Sequence, residues 1–249
     1  MIIKWIIIMR MEMQGIYLVA SGSKYTLEAC NAIKQIKEVM PKVAIALCTD
    51  QLSVADIDYI IPLEQPLYNF ADKVCNFTKT PFSKTIFLDT DVFVLKDLSA
   101  LFTLLDRFDI AAPHAPIEED ELVDLPNSFA EPNSGVIAYK KKEAVWKMFQ
   151  TYERHYLNSL NYYKMKYNEI PPDQPSFRYA LYNSTVNCTF LPHEYNCMVD
   201  FPNFLSSEVY VLHGHYNSDI MKDKEKIINS FIGCRLYRPD FGLVFTQGD

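Results

Sequence analysis

Short apolar runs that alternate with an amphipathic segment of helical period predict an α/β chain: a doubly wound, mainly parallel sheet with helices on both faces, in a single domain. Three observations carry that expectation. Residues 15–20 and 43–48 are continuous apolar runs with the length of buried strands, without the alternation of a sheet wetted on one face. Between them, Leu27, Ala32, Ile33, Ile36 and Val39 recur at helical spacing. A third run, residues 86–88, ends abruptly in two carboxylates, Asp89 and Asp91, and apolar residues resume at once over 92–95.

The elements follow in order. Residues 15–20 form the first strand, 21–24 (Ser-Gly-Ser-Lys) the turn after it, and 25–39 a helix that Pro41 ends. Residues 43–48 form a second strand, 59–61 a short third, and 71–77 one or two helical turns before the strand that reaches Asp89. Residues 110–112 form a further strand, and 118–121 (Glu-Glu-Asp-Glu) lie in a Pro-rich loop as a solvated acidic surface. Asn133-Ser134-Gly135 is a turn feeding a strand that runs to Tyr139, and 142–163 is a half-buried packing helix. Pro171, Pro172 and Pro175 stiffen a turn that opens another helix, and 209–213 is a late strand ending at His213. No internal repeat, low-complexity tract or linker is visible. The domain is expected over 14–249, preceded by an apolar extension at 1–13. That extension is far shorter than the roughly 20 residues of a spanning helix, so no transmembrane segment is expected. It admits a weak contact with a membrane surface.

Charge and cysteine usage narrow the function. Lys and Arg number 24 against 31 Asp and Glu, a net charge of −7 with no basic patch, which argues against a nucleic-acid partner. The six cysteines show neither Cys-x-x-Cys pairs nor zinc spacing. A reducing, cytoplasmic location is the simpler expectation.

Asp89 and Asp91 carry the chemistry. Ligands of open α/β sheets bind beyond the carboxyl ends of the strands, and a buried strand that delivers two acids there does so at a cost. In an extended segment residues i and i+2 share a face, so both carboxylates can grip one cation. An acidic protein that handles a phosphorylated ligand needs such a cation to offset repulsion.

The order of parts from Gly15 to His215 resembles the GT-A fold glycosyltransferases, especially the family 8-like group that includes glycogenin and bacterial lipopolysaccharide galactosyltransferases. Asp89-Thr90-Asp91 matches the family's DxD, Asn133-Ser134-Gly135 its N-(A/S)-G-V element, Asp173-Gln174 its D-Q pair, and strand-terminal His213 its late histidine. The resemblance implies a metal-dependent transfer of sugar from a nucleotide diphosphate, expected to be a UDP-sugar, to a hydroxyl of a glycan or other acceptor, with retention. It implies Mn²⁺ (or Mg²⁺) held by Asp89, Asp91 and His213, with His215 in reserve. Asp89 would also reach the ribose, and Thr90 belongs to the same donor site. Ala20, Ser21 and Tyr25 would hold the nucleotide, with Tyr25 stacked on the base; the alternative for Tyr25 is an aromatic packed on the sheet. Lys73 would touch the donor, and Asn133, Ser134 and Gly135 its sugar. Gln174 would lie beside the anomeric carbon and Asp173 would hold sugar hydroxyls, although Asp173 could equally cap the helix after it.

The chain departs from the group after His213. Where the family has a glycine, then a lysine followed by Pro-Trp, this sequence continues Gly214-His215-Tyr216-Asn217, with no lysine until Lys222. The departure is compatible with a neighbouring or viral offshoot. Two rivals stand beside the transferase: an inactive sugar-nucleotide or glycan binder of the same fold, and a haloacid-dehalogenase-type phosphatase, whose motif is also a strand ending in D-x-D. That motif normally continues with Gly-Thr, whereas Val92-Phe93 follow here.

Overall fold

The computed structural model describes residues 13–51, 54, 57–116 and 124–245. The apolar extension at 1–12, the acidic run at 118–121 and the last residues of the expected domain lie outside them. Strands β1 (Gln14–Ala20), β2 (Ala44–Thr49), β3 (Tyr59–Pro62) and β4 (Lys84–Leu88) form one side of a seven-stranded sheet, all parallel. Strands β6 (Ile110–Pro113), β7 (Val136–Lys140) and β8 (Cys188–Leu191) complete it in the order β3-β2-β1-β4-β7-β6-β8, with β7 antiparallel to both neighbours. The sheet is thus mainly parallel, as the apolar runs predict.

Both faces of the sheet are covered, which is why its strands are apolar throughout. Ile16, Leu18, Ile45, Leu47, Ile86 and Leu88 pack with helix α1 (Gly22–Val39) and helix α3 (Ser99–Leu104) on one face. Tyr17, Val19, Ala46, Cys48, Phe87 and Tyr139 alternate to the other, against α2 (Phe70–Val74), α4 (Glu143–Lys166) and α5 (Gln174–Tyr182). Helix α1 begins three residues before the expected start. Gly22, at φ +74°, makes the bend from β1 in a single residue, so residues 22–24 are helical and not a turn.

A second layer positions the site. Strand β5 (Val92–Val94) leaves the central sheet and pairs antiparallel with β11 (Val211–His213), which pairs parallel with β9 (Cys197–Met198). Strands β10 (Asn203–Leu205), β12 (Arg235–Arg238) and β13 (Gly242–Val244) form a third sheet, and α6 (Ser218–Ile228) joins them around a satellite core of Leu212, Met221, Ile228 and Tyr237. All six cysteines are unpaired. Among the described residues no helix is long and apolar enough to cross a membrane.

Candidate active site

Strand pairing alone brings the first residues together. Asp89, Thr90 and Asp91 join the end of β4 to the start of β5. The register of β5 with β11 sets His213 opposite Val92, and so beside Asp91. Strand β7 runs antiparallel to β4 with Leu88 opposite Val136, and the Asp89 N–H donates to the Gly135 carbonyl at 2.9 Å. Asn133-Ser134-Gly135 therefore lies directly against the acid pair. One ligand atom each from Asp89, Asp91 and His213 falls within 4.8 Å of the others, a grouping fit for a metal ion. Gly135 is needed there: a Cβ on it would overlap the His213 ring.

His213 is oriented by a partner. Its Nδ1 lies 2.9 Å from Asn196 Oδ1 and its Nε2 lies 3.2 Å from Asp91 Oδ1. With Nδ1–H donated to the amide oxygen, Nε2 is left facing the acid pair, where it donates to Asp91 when protonated and could ligate a cation when not. Burial works against a charge on His213, but Asp91 outweighs it and raises its pKa. Burial would also raise Asp91, yet the His213 imidazole holds it well below the usual carboxylate range. Asp89 goes the other way: burial, reinforced by the Asp91 carboxylate and opposed by Lys73, pushes it up to about 6. Two carboxylates driven apart in this way are an environment that a divalent cation would relieve.

Lys73 ties the opposite wall together. Its Nζ lies 3.0 Å from Asp89 Oδ2, 3.1 Å from Ser134 Oγ and 3.1 Å from Asp173 Oδ2. Burial disfavours the ammonium, but Asp173 and Asp89 more than compensate and raise its pKa. Asp173 also accepts from the Tyr152 hydroxyl. The expected side-chain cap of α5 is not made, because that carboxylate is engaged by Lys73 and Tyr152; the Asp173 carbonyl accepts from the Ser176 and Phe177 N–H groups instead. Gln174 is held at both ends of its amide: Oε1 accepts from Asn133 Nδ2 at 2.7 Å and Nε2 donates to Glu131.

These groups line one cavity of about 700 Å³, and every residue expected from the sequence to hold donor or metal is on its wall: Ala20, Ser21, Tyr25, Lys73, Asp89, Thr90, Asp91, Asn133, Ser134, Gly135, Asp173, Gln174 and His213. Tyr25 is 40% exposed at this wall. The reserve ligand His215 also lines it, with Nε2 3.5 Å from Asp91 and Nδ1 3.0 Å from Glu28. The Glu28 contact, with Asp91 adding, pushes His215 up to about 9. Thr90 donates to the second Glu28 oxygen at 2.6 Å. His114, His155 and His193 stand outside the cavity. Glu28, Glu131, Tyr152 and Asn196 were invisible in the sequence, because each acts through a neighbour that only the folded chain supplies.

Residues 83–227, more than half of the chain, match the family described as nucleotide-diphospho-sugar transferase. The chain belongs to that family. As a nucleotide-diphospho-sugar transferase it is a glycosyltransferase, which displaces the phosphatase reading. No curated protein matches the sequence. Among solved structures, this transferase resembles galactosyltransferase LgtC in complex with donor and acceptor sugar analogs, at 13% identity and a TM-score of 0.52 over 83% of this chain and 88% of that one. Mouse xyloside xylosyltransferase 1 matches at 12% identity and a TM-score of 0.52, over 82% and 98%. Glycosyltransferase GlyE of Streptococcus pneumoniae matches at 15% identity and a TM-score of 0.57, with this chain covering 58% of its length and 89% of its own. At these identities the likeness is one of fold, the GT-A fold.

Proposed function

We infer that the cavity binds a sugar nucleotide with UDP as its nucleotide, together with Mn²⁺ or Mg²⁺, and transfers the sugar to a hydroxyl of a glycan acceptor with retention. The observation that carries this reading is the approach of the Asp89, Asp91 and His213 ligand atoms to within 4.8 Å of one another on the wall that also holds Lys73 and Gln174. Two carboxylates and an imidazole whose Nε2 faces them suit Mn²⁺, and Mg²⁺ less well. A divalent cation bound there supplies the positive charge that offsets the charge growing on the leaving diphosphate.

The chain's own residues do the rest. Tyr25 stacks on the base, and Ser21 and the backbone of Ala20 meet its edge. Asp89 reaches the ribose as well as the metal, with Thr90 beside it. Asn133, Ser134 and Gly135 receive the sugar, and Asp173 accepts from its hydroxyls while Lys73 ion-pairs with Asp173 and Asp89. Gln174, locked between Asn133 and Glu131, presents its amide to the anomeric carbon. One of the matching LgtC structures carries a glutamine-to-glutamate change in its active site, and the glutamine lining this cavity is Gln174. In a front-face substitution the bond from the anomeric carbon to phosphate oxygen breaks. The acceptor oxygen bonds to the same face, and its proton passes to the leaving phosphate. Release of UDP from a panel of UDP-sugars, with Mn²⁺ and with EDTA, tests the reading. Release should require the metal and vanish in Asp89→Ala. Metal-independent release would overturn the metal assignment, and full turnover by Gln174→Ala would overturn the front-face role of the amide.

A further inference from the structure

The cavity has an end that the expected donor contacts leave half built. Tyr25 stands there on the first turn of α1, and a second exposed aromatic, Tyr68, faces the same space. Tyr68 is 61% exposed, yet it is held firmly. Gln65 and Tyr68 both adopt left-handed backbone, at φ 52° and 54°, a conformation that is costly for a non-glycine residue. Asp72, almost fully buried on α2, stabilises the loop by accepting from the Leu67 N–H at 2.8 Å and the Tyr68 N–H at 2.7 Å. Asn69 adds a second anchor, capping α2 at the Ala71 N–H and donating to the Leu67 carbonyl. The ring so presented lies against Gly22, where a Cβ would sit 3.5 Å from its Cδ1 and Cε1. Gly22 and Tyr25 are i and i+3 on one helix face, and both tyrosines line the same cavity. Next to Asp72 in the chain is Lys73, so a single helix of five residues supports this loop and the charged centre alike.

Strained backbone and a buried carboxylate together hold out a ring that buries little, its hydroxyl reaching Asp50 Oδ2 at 3.4 Å beside the start of α1. We propose that Tyr68 is the second aromatic wall of the nucleobase subsite, closing a planar base between itself and Tyr25 over the start of α1. The assignment rests on the nucleotide-sugar reading above and adds to it the residue that separates base binding from diphosphate binding. Stacking of a base on an aromatic ring is worth roughly 1–3 kcal/mol, so its loss weakens affinity about fivefold to a hundredfold.

Calorimetric titration of the full chain with UDP and with inorganic pyrophosphate, both in Mn²⁺, tests this on wild type, Tyr68→Ala and Tyr68→Phe. Tyr68→Ala should bind UDP about fivefold or more weakly and pyrophosphate as wild type does, and Tyr68→Phe should retain UDP affinity. Unchanged UDP affinity in Tyr68→Ala would overturn the assignment and leave the donor reading standing. Equal losses for UDP and pyrophosphate would also overturn it, by showing that the loop supports the cavity without touching the base. Wild-type protein that bound neither probe would overturn the donor reading itself, and this inference with it.

Discussion

Lys73 joins three parts of the site through one ammonium group, meeting Asp89, Ser134 and Asp173 within 3.1 Å. Replacing it by methionine keeps the stem and removes the charge, leaving two buried carboxylates facing each other. Removing one partner of a buried pair costs about 3–5 kcal/mol, so Lys73→Met should lower stability in denaturant unfolding by that order and abolish sugar transfer. Asn196 makes a sharper test, since its side-chain oxygen meets the far nitrogen of His213. Losing an outer partner of a metal-bound histidine typically costs about 10–100-fold in affinity, and Asn196→Ala should weaken Mn²⁺ binding by that much in a direct metal titration. Asp89, Asp91 and His213 could be read from the sequence because charge ending an apolar strand is conspicuous. Asn196 could not, because nothing local marks it and only the pairing of β9 with β11 carries it to His213.

Elements are stapled as well as packed. Asp109, 3% exposed at the start of β6, accepts from Lys142 at 2.8 Å and from the Asn187 N–H at 3.1 Å, with Lys140 at 3.2 Å, so it fastens β6, β7 and β8 at one end. Burial would raise its pKa, but Lys142, Asn187 and Lys140 outweigh that and hold the carboxyl below its ordinary value. A carboxylate depressed in the folded state stabilises the fold above its unfolded pKa, about 3.9, and that contribution fades as pH falls through the folded value. Asp109→Asn should therefore cost about 1–3 kcal/mol at neutral pH, and the gap in melting temperature from wild type should close as pH drops below about 4. A gap independent of pH would contradict the ion-pair origin. Strands such as β1, β2, β4 and β7 were legible because helices cover both their faces and demand continuous apolar runs. Strands β9, β10 and β13 were not: at two or three residues each they are too short to show a period, and partners distant in the chain define them. Helix α3, six residues long, escaped for the same reason.

At the scale of the whole molecule, two sheets and two helices converge on one cavity. The central sheet brings the acid pair and the Asn133–Gly135 turn, the β5–β11–β9 sheet brings His213, and α2 and α5 close the wall with Lys73, Asp173 and Gln174. The satellite core behind β11 belongs to this design, because it fixes the strand that carries the histidine. These expected positions thus meet only through tertiary structure, with sequence separations of 16 between Lys73 and Asp89 and 61 between Lys73 and Ser134. Calorimetric titration of UDP, with Mn²⁺ and with EDTA, into wild type and Asp91→Ala tests the central claim most directly. The account predicts tight binding to wild type with Mn²⁺ and loss of it both in EDTA and in Asp91→Ala. Equal UDP binding with and without metal, or in Asp91→Ala, would contradict it.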